Sequence, residues 1–209
     1  MGVGVRIVAG AVAFLVVGNL AILGASFWAR GTTASVPVEQ VSGISNFTAV
    51  DDHMWRGGAP SADGYRNLAA AGVTTVVDLR AEDGLEADGQ MVADLGMRLV
   101  SIPIRDGQAP SAAKVEEFLA ATRDPGGTVF VHCGAGVGRT GAMVGAYLVE
   151  AHVGGTTAVR RNLAVGPPSL EQLAFVVGLE EGDVDRPNPL LTAVSRVLDA
   201  PRRIWTYLN

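Results

Sequence analysis

The stretch "VFVHCGAGVGRTGAMVGAYL", Val129 to Leu148, decides the fold. Between Cys133 and Gly145 it places five glycines, the chain's only cysteine and Arg139. Val129, Phe130 and Val131 read as a buried strand, and Thr140 to Glu150 reads as a helix, so the glycines occupy a strand-to-helix turn. Such a turn aims backbone N–H groups and the positive end of a helix dipole at one point, which makes an anion site. Gly134, Gly136, Gly138 and Gly141 let the backbone approach that anion closely. The expected guest is a phosphate.

Three phosphate-binding patterns compete for these letters. Gly136-x-Gly138-x-x-Gly141 satisfies the dinucleotide fingerprint, but no further strand ending in an acidic residue is legible about 20 positions later, as that fold requires. The nucleotide-triphosphate loop G-x-x-x-x-G-K-[ST] nearly fits at Gly138-Arg139-Thr140. Its lysine, however, is replaced by Arg139, and its first glycine falls on Cys133. The third pattern, Cys-x5-Arg, uses every oddity of the stretch.

Chemistry explains that spacing. A thiol with an ordinary pKa of about 8.5 is mostly protonated at neutral pH, and a helix N-terminus with a nearby cation favours the nucleophilic thiolate. Cys133 has both within reach. Arg139 offers a planar fork that holds two phosphate oxygens at once. The backbone of Gly134, Ala135, Gly136, Val137 and Gly138 supplies the remaining donors. Thr140 is placed to donate its hydroxyl to the thiolate, and His132 to hold the loop base by hydrogen bonding.

His132 to Gly141 is similar to the signature H-C-x-x-G-x-x-R-[ST] of the cysteine-based protein tyrosine phosphatase superfamily, and matches it in full. The resemblance extends from about Asn46 to Phe175: "NFTAVDDHMWRGGAP" resembles the first strand of the small dual-specificity phosphatases, and "AGVTTVVDLR" their first central strand. It implies a metal-independent, cofactor-free hydrolysis of phosphomonoesters through a phosphocysteine. It also implies a mobile loop bearing an acidic residue; "IPIRDGQAPS" puts Asp106 there as general acid, followed by Pro110. Asp78, Glu82, Asp83 and Asp88 are its rivals, with Asp78 read as structural and the others as solvating a loop or helix start. Arg56 in "WRGGAP" matches an arginine common in the family and is read as a structural ion-pair partner. "GPPSLEQLAF" places Gln172 at one of the tyrosine-specific branch's water-positioning sites, with a surface position on a helix as the alternative. Pro168 stands at the other such site, and no aromatic recognition segment is present, so the small dual-specificity class fits better.

With 209 residues, one domain plus appendages is the natural division. Helical patterns at Ser61 to Ala71, Leu85 to Leu95 and Ser111 to Thr122 alternate with strands at Thr74 to Leu79, Arg98 to Ile102 and Thr128 to His132. Further helices are expected from Thr140, Thr156 and Ser169. Ser61 and Ser111 read as N-caps, Gly72 and Gly96 as C-caps. The expected fold is therefore α/β, a mainly parallel central sheet flanked by helices. Formal charge is −5 with one lysine, Lys114, which gives no basic footprint for nucleic acid. Three scattered histidines and one cysteine predict no metal site.

From Ile7 to Ala29 the chain is uncharged and, at about 1.5 Å per residue, long enough for a bilayer core of about 30 Å. This reads as a single-pass anchor within residues 1–30. The alternative, a secretory signal cleaved near Thr32-x-Ala34, ordinarily has a shorter apolar run of about 7 to 15 residues. Arg6 and Arg30 flank the run symmetrically and leave its orientation open. A linker (31–45), a catalytic domain (46–182) and an amphipathic tail (183–209) follow. In the tail, Leu190, Leu191, Val194, Val197 and Leu198 share a helical face that either packs on the domain or rests on a membrane. The expectation is thus a membrane-anchored phosphatase acting on phosphotyrosine in proteins. Its alternatives are a phosphoinositide phosphatase and a non-catalytic module that captures phosphorylated ligands.

Overall fold

The computed structural model describes residues 3–33, 41–81, 85–123, 127–180 and 187–208. Five strands form one sheet in the order β1 (Thr48–Ala49), β2 (Met54–Gly58), β5 (Thr128–Cys133), β3 (Val73–Arg80), β4 (Arg98–Ile104). The β2–β5, β5–β3 and β3–β4 pairings are parallel, and only the edge strand β1 runs antiparallel, against β2. The expected mainly parallel α/β sheet is therefore present. The segment read as one first strand is a hairpin, closed where Asp51 Oδ1 accepts from the amides of His53 and Met54, each at 2.8 Å.

Strand composition explains how the sheet is covered. In β3 and β5 nearly every residue is buried, so successive side chains feed opposite cores. Val77, Val131 and Ile102 face one core with Phe118, Met143 and Phe175. These last three come from α4 (Ala112–Thr122), α5 (Gly138–Glu150) and α7 (Leu170–Glu180). Val76 and Phe130 face the other core with Tyr65, Leu68 and Val92 from α2 (Ala62–Ala70) and α3 (Leu85–Asp94). Ser61 caps α2, its Oγ accepting from Gly64 N at 3.2 Å, whereas Ser111 sits at the N-cap of α4 without a side-chain bond. Gly72 and Gly96 take left-handed φ of 89° and 76° just past the ends of α2 and α3.

The amino-terminal helix α1 (Val3–Thr32) contains an apolar window, Ala9–Thr32, long enough to cross a membrane. Its second half nonetheless docks on the domain. Leu15, Gly18, Ile22 and Ala25 are half-buried and Ser26 and Ala29 buried, a stripe at three- and four-residue spacing that meets α6 (Gly155–Val165) and α8 (Pro189–Leu208). Ser26 Oγ donates to Leu163 O (2.7 Å), and Arg30 donates to Ala164 O and Val165 O (3.1 and 3.0 Å). On its other side α1 exposes Val12, Phe14, Val17, Leu20, Leu23, Phe27 and Trp28. The segment read as a 31–45 linker is helical through Thr32, and Ser42, Gly43 and Ser45 already accept hydrogen bonds from the domain. In the tail, α8 packs with Ser195 and Leu198 buried, while Leu190 and Val197 face outward.

Candidate active site

β5 runs up the middle of the sheet and delivers Cys133 at its C-terminal end, 3% exposed. The chain then turns through Gly134 to Val137 into α5, whose first turn carries Arg139. Every carbonyl of this turn meets a donor from outside it. Ala59 N donates to Gly134 O (3.0 Å), and Asn46 Nδ2 to Ala135 O (2.9 Å). Arg56 Nη2 donates to Gly136 O (2.7 Å) and Val137 O (3.3 Å). With its carbonyls engaged outward, the turn presents its amides and the α5 dipole to an anion. Gly136 is obligatory: its φ is 73°, and a Cβ there would lie 2.3 Å from the carbonyl carbon of Gly57.

Arg139 folds back over this ring. It is 4% exposed, its Nη1 donates to Ile104 O (3.2 Å), and its Nε lies 3.4 Å from Asp106 Oδ1. Asp106 follows β4 on the expected loop, and its side chain is 44% exposed. The structure thus brings Cys133, Arg139 and Asp106 to one mouth.

The loop around Asp106 is held by the turn that opens α7. Ser169 Oγ donates to Gly107 O (2.8 Å), Gln172 Nε2 to Gln108 O (3.3 Å), and Ala109 N to Glu171 Oε1 (3.0 Å). Gln172 is fully buried rather than on a helix surface. Its Oε1 accepts from Ser169 N at 3.0 Å and lies 2.4 Å from where a Cβ on Gly138 would stand, so it abuts the phosphate-binding turn. Glu171 and Ser169 are absent from the sequence-derived site; "SLEQ" carries the signal, because a polar triplet at a helix start has side chains free to bond a neighbouring loop.

The supporting residues divide. Thr140 is fully buried, and its Oγ1 has no hydrogen-bond partner among the described residues. His132 is also fully buried, stacked on Phe130 (5.6 Å between ring centres) and edge-on to Tyr65. Burial pushes its pKa down from 6.5 to about 4, against the pull of the Asp78 carboxylate 3.8 Å away, so the ring is neutral. Asp78 is structural as expected, bonded to Arg80 Nε and Nη2 (3.0 and 2.6 Å). Asp88 pairs with the same Arg80, and Glu82 and Asp83 lie outside the described residues. Arg56 is 2% exposed and corrects its reading as an ion-pair partner: among the described residues it meets carbonyls and Asn162 Oδ1 (3.2 Å), not a carboxylate. Burial lowers its pKa to about 10, the charge of Cys133 opposing that shift. Asn162, unsuspected from sequence, wedges against Gly141, where a Cβ would come within 1.8 Å of its Oδ1.

A family model described as DSP-PTPase phosphatase fused to NAD+ kinase matches residues 34–178, well over half of the chain. The chain belongs to this phosphatase family. It is 36% identical over 97 residues to the probable NAD kinase 2, chloroplastic, of Oryza sativa subsp. japonica, covering 44% of this chain and 10% of that protein. It is 29% identical over 128 residues to the tyrosine-protein phosphatase CDC14 homolog of Schizosaccharomyces pombe, covering 55% and 24%. The phosphatase thus spans only a minor part of the length of these relatives. The core catalytic domain of the PP-IP phosphatase SIW14 from S. cerevisiae shares the fold, with a TM-score of 0.59 at 16% identity over 79% of this chain and 97% of that one. The expected superfamily and its dual-specificity-like class are borne out.

Proposed function

We propose that this phosphatase hydrolyses phosphotyrosine in proteins through a phosphocysteine, in a catalytic domain (46–182) held at a bilayer by residues 1–30. The observation that carries the chemistry is Arg139, poised between the Cys133 turn and Asp106, with its Nε 3.4 Å from Asp106 Oδ1. The Cys133 thiolate attacks phosphorus as the bond to the leaving oxygen breaks, and that oxygen takes the proton of the Asp106 carboxyl. Arg139 and the amides of Gly134 to Gly138 hold the equatorial oxygens. A water then attacks phosphorus, its proton passes to the Asp106 carboxylate, the P–S bond breaks, and Sγ leaves as thiolate. Thr140, its hydroxyl otherwise unpartnered, offers that hydroxyl to the departing thiolate; His132, whose ring nitrogens have no hydrogen-bond partner among the described residues, supports the loop base by stacking on Phe130 instead of by the expected hydrogen bond.

Substrate choice rests on charge. Between Cys133 and Arg139 the turn contains no lysine, so it provides donors for one phosphate and no added positive charge for further phosphates on a ring. A single phosphate on a peptide side chain is the better match, and an exposed apolar face on α1 accounts for bilayer attachment. The test is hydrolysis by wild type and Cys133→Ser. Phosphotyrosyl peptides should give a higher kcat/KM than phosphoinositides in vesicles, and the serine variant should bind vanadate without turnover. A lipid preference would transfer the assignment to phosphoinositides, and no turnover of either would leave a phosphate-capturing module.

A further inference from the structure

Behind the phosphate-binding turn lies a second cavity of about 400 Å³, between the end of α1, the β1–β2 hairpin and helices α5 and α6. None of Cys133 to Thr140 lines it. Its wall is divided: Arg30, Arg56 and Arg161 contribute to it, no carboxylate among the described residues does, and Val50, Val144 and Leu148 supply an apolar floor. In a chain of net charge −5, three arginines around one void are a local concentration of positive charge.

The polar groups there are incompletely satisfied. Arg56 Nε is buried without a hydrogen-bond partner, although the same guanidinium holds the turn through Nη2. Thr33 Oγ1, also on the wall, is buried and unpartnered. The Arg161 side chain makes no hydrogen bond or ion pair among the described residues. Arg30 and Arg161 are exposed at the rim, whereas Arg56 is buried with only the Cys133 charge to offset it, and a buried guanidinium facing a void is costly unless an anion compensates it further. The apolar outer face of α1 ends at Phe27 and Trp28, two or three residues before Arg30, so where that face meets a bilayer the Arg30 end of the cavity lies at headgroup depth.

We infer that this cavity binds the phosphate-bearing headgroup of an anionic phospholipid, with the phosphate among Arg30, Arg56 and Arg161 and the start of the acyl region on Val144 and Leu148. Its depth rests on the proposed bilayer attachment, and its volume suits a headgroup and a few methylenes rather than whole acyl chains. Through Arg56 the lipid adjoins the carbonyls of Gly136 and Val137 without entering the catalytic mouth.

The experiment is calorimetric titration of the full chain, with vanadate filling the Cys133 turn so that the second site alone is read. Dihexanoyl phosphatidylglycerol, kept below its micelle concentration, is compared with dihexanoyl phosphatidylcholine and glycerol 3-phosphate, in wild type and in Arg161→Gln and Arg161→Glu. The expected result is one equivalent of the phosphatidylglycerol bound and little of either comparator. Both variants should weaken it by roughly tenfold, the scale of one charge-assisted hydrogen bond. Equal binding of phosphatidylcholine, no dependence on Arg161, or no saturable binding would overturn the proposal. Glycerol 3-phosphate binding as tightly would also overturn it, in favour of a soluble phosphate ligand. No arm reads turnover or bilayer attachment, so failure here is distinct from failure of the proposed function.

Discussion

Two loops meet at the catalytic mouth and are held from different parts of the chain. The turn after Cys133 is fixed through its own main chain: four carbonyls take donors from the β1–β2 hairpin region, and Gly136 presses directly on the backbone of Gly57. The loop of Asp106 is fixed from a distance, by side chains of Ser169, Glu171 and Gln172 at the start of α7. The first clasp includes a backbone donor, Ala59 N, and a backbone contact at Gly57 that leaves no room for a side chain, whereas the second is made by side chains alone and can be retuned one residue at a time. Phosphate binding and proton delivery should therefore fail separately.

The most severe break should come from Gly136→Val, since both the left-handed φ and the 2.3 Å approach forbid a side chain. Turnover and vanadate binding should vanish together, as measured by aryl phosphate hydrolysis and by calorimetry. Asp106→Asn should lower kcat by about 10²–10⁴-fold, the range for a lost general acid. Its vanadate affinity should stay close to wild type; if both fell, the two loops would not be separable. Glu171→Ala sharpens the contrast by leaving Asp106 in place but releasing Ala109 N, and should cost kcat roughly tenfold, the value of about one hydrogen bond. A matching loss of vanadate affinity would show that α7 supports the phosphate-binding turn instead.

The sequence foretold the two loops unequally, for the same physical reason. Cys133 to Arg139 is one continuous stretch, so spacing alone places nucleophile and clamp. Asp106 was found through family likeness, and the structure places it on the expected loop beside Arg139. Glu171 and Ser169 lie more than 60 positions from the loop they hold, and nothing local in "SLEQ" says which loop that is. Arg56 was legible as structural, but not as a donor to carbonyls, because its partners arrive from residues 136, 137 and 162. The domain's helices and its three central strands β3, β4 and β5 were recovered to within a residue or two, since their apolar period is local, whereas the segment from Asn46, read as one strand, is a hairpin. The docked stripe on α1 was not, because small residues in an apolar run look the same whether they face lipid or protein.

A further expected effect is on stability. His132 titrates at about 4 when folded and near 6.5 when unfolded. Above pH 6.5 both states are neutral and the contribution is fully present. As pH falls toward 4 the unfolded chain takes up a proton that the folded chain excludes, so stability declines, by of order 3 kcal/mol across the window. Melting temperatures between pH 7.5 and 4.5 should fall more steeply for wild type than for His132→Asn; parallel curves would assign the acid sensitivity to other groups.

The bonds from Ser26 and Arg30 to the last three carbonyls of α6 have a practical consequence for anyone shortening this protein. A cut after Thr33 removes a terminal cap from a neighbouring helix, bares the methyl groups of Leu198 that now rest on Gly18, and opens one wall of the arginine-lined cavity. The shortened chain should still fold around its sheet but tend to self-associate through the exposed α6–α8 surface. An amino-terminal segment that supplies its domain with buried hydrogen bonds contributes to the stability of the fold as well as to any bilayer attachment.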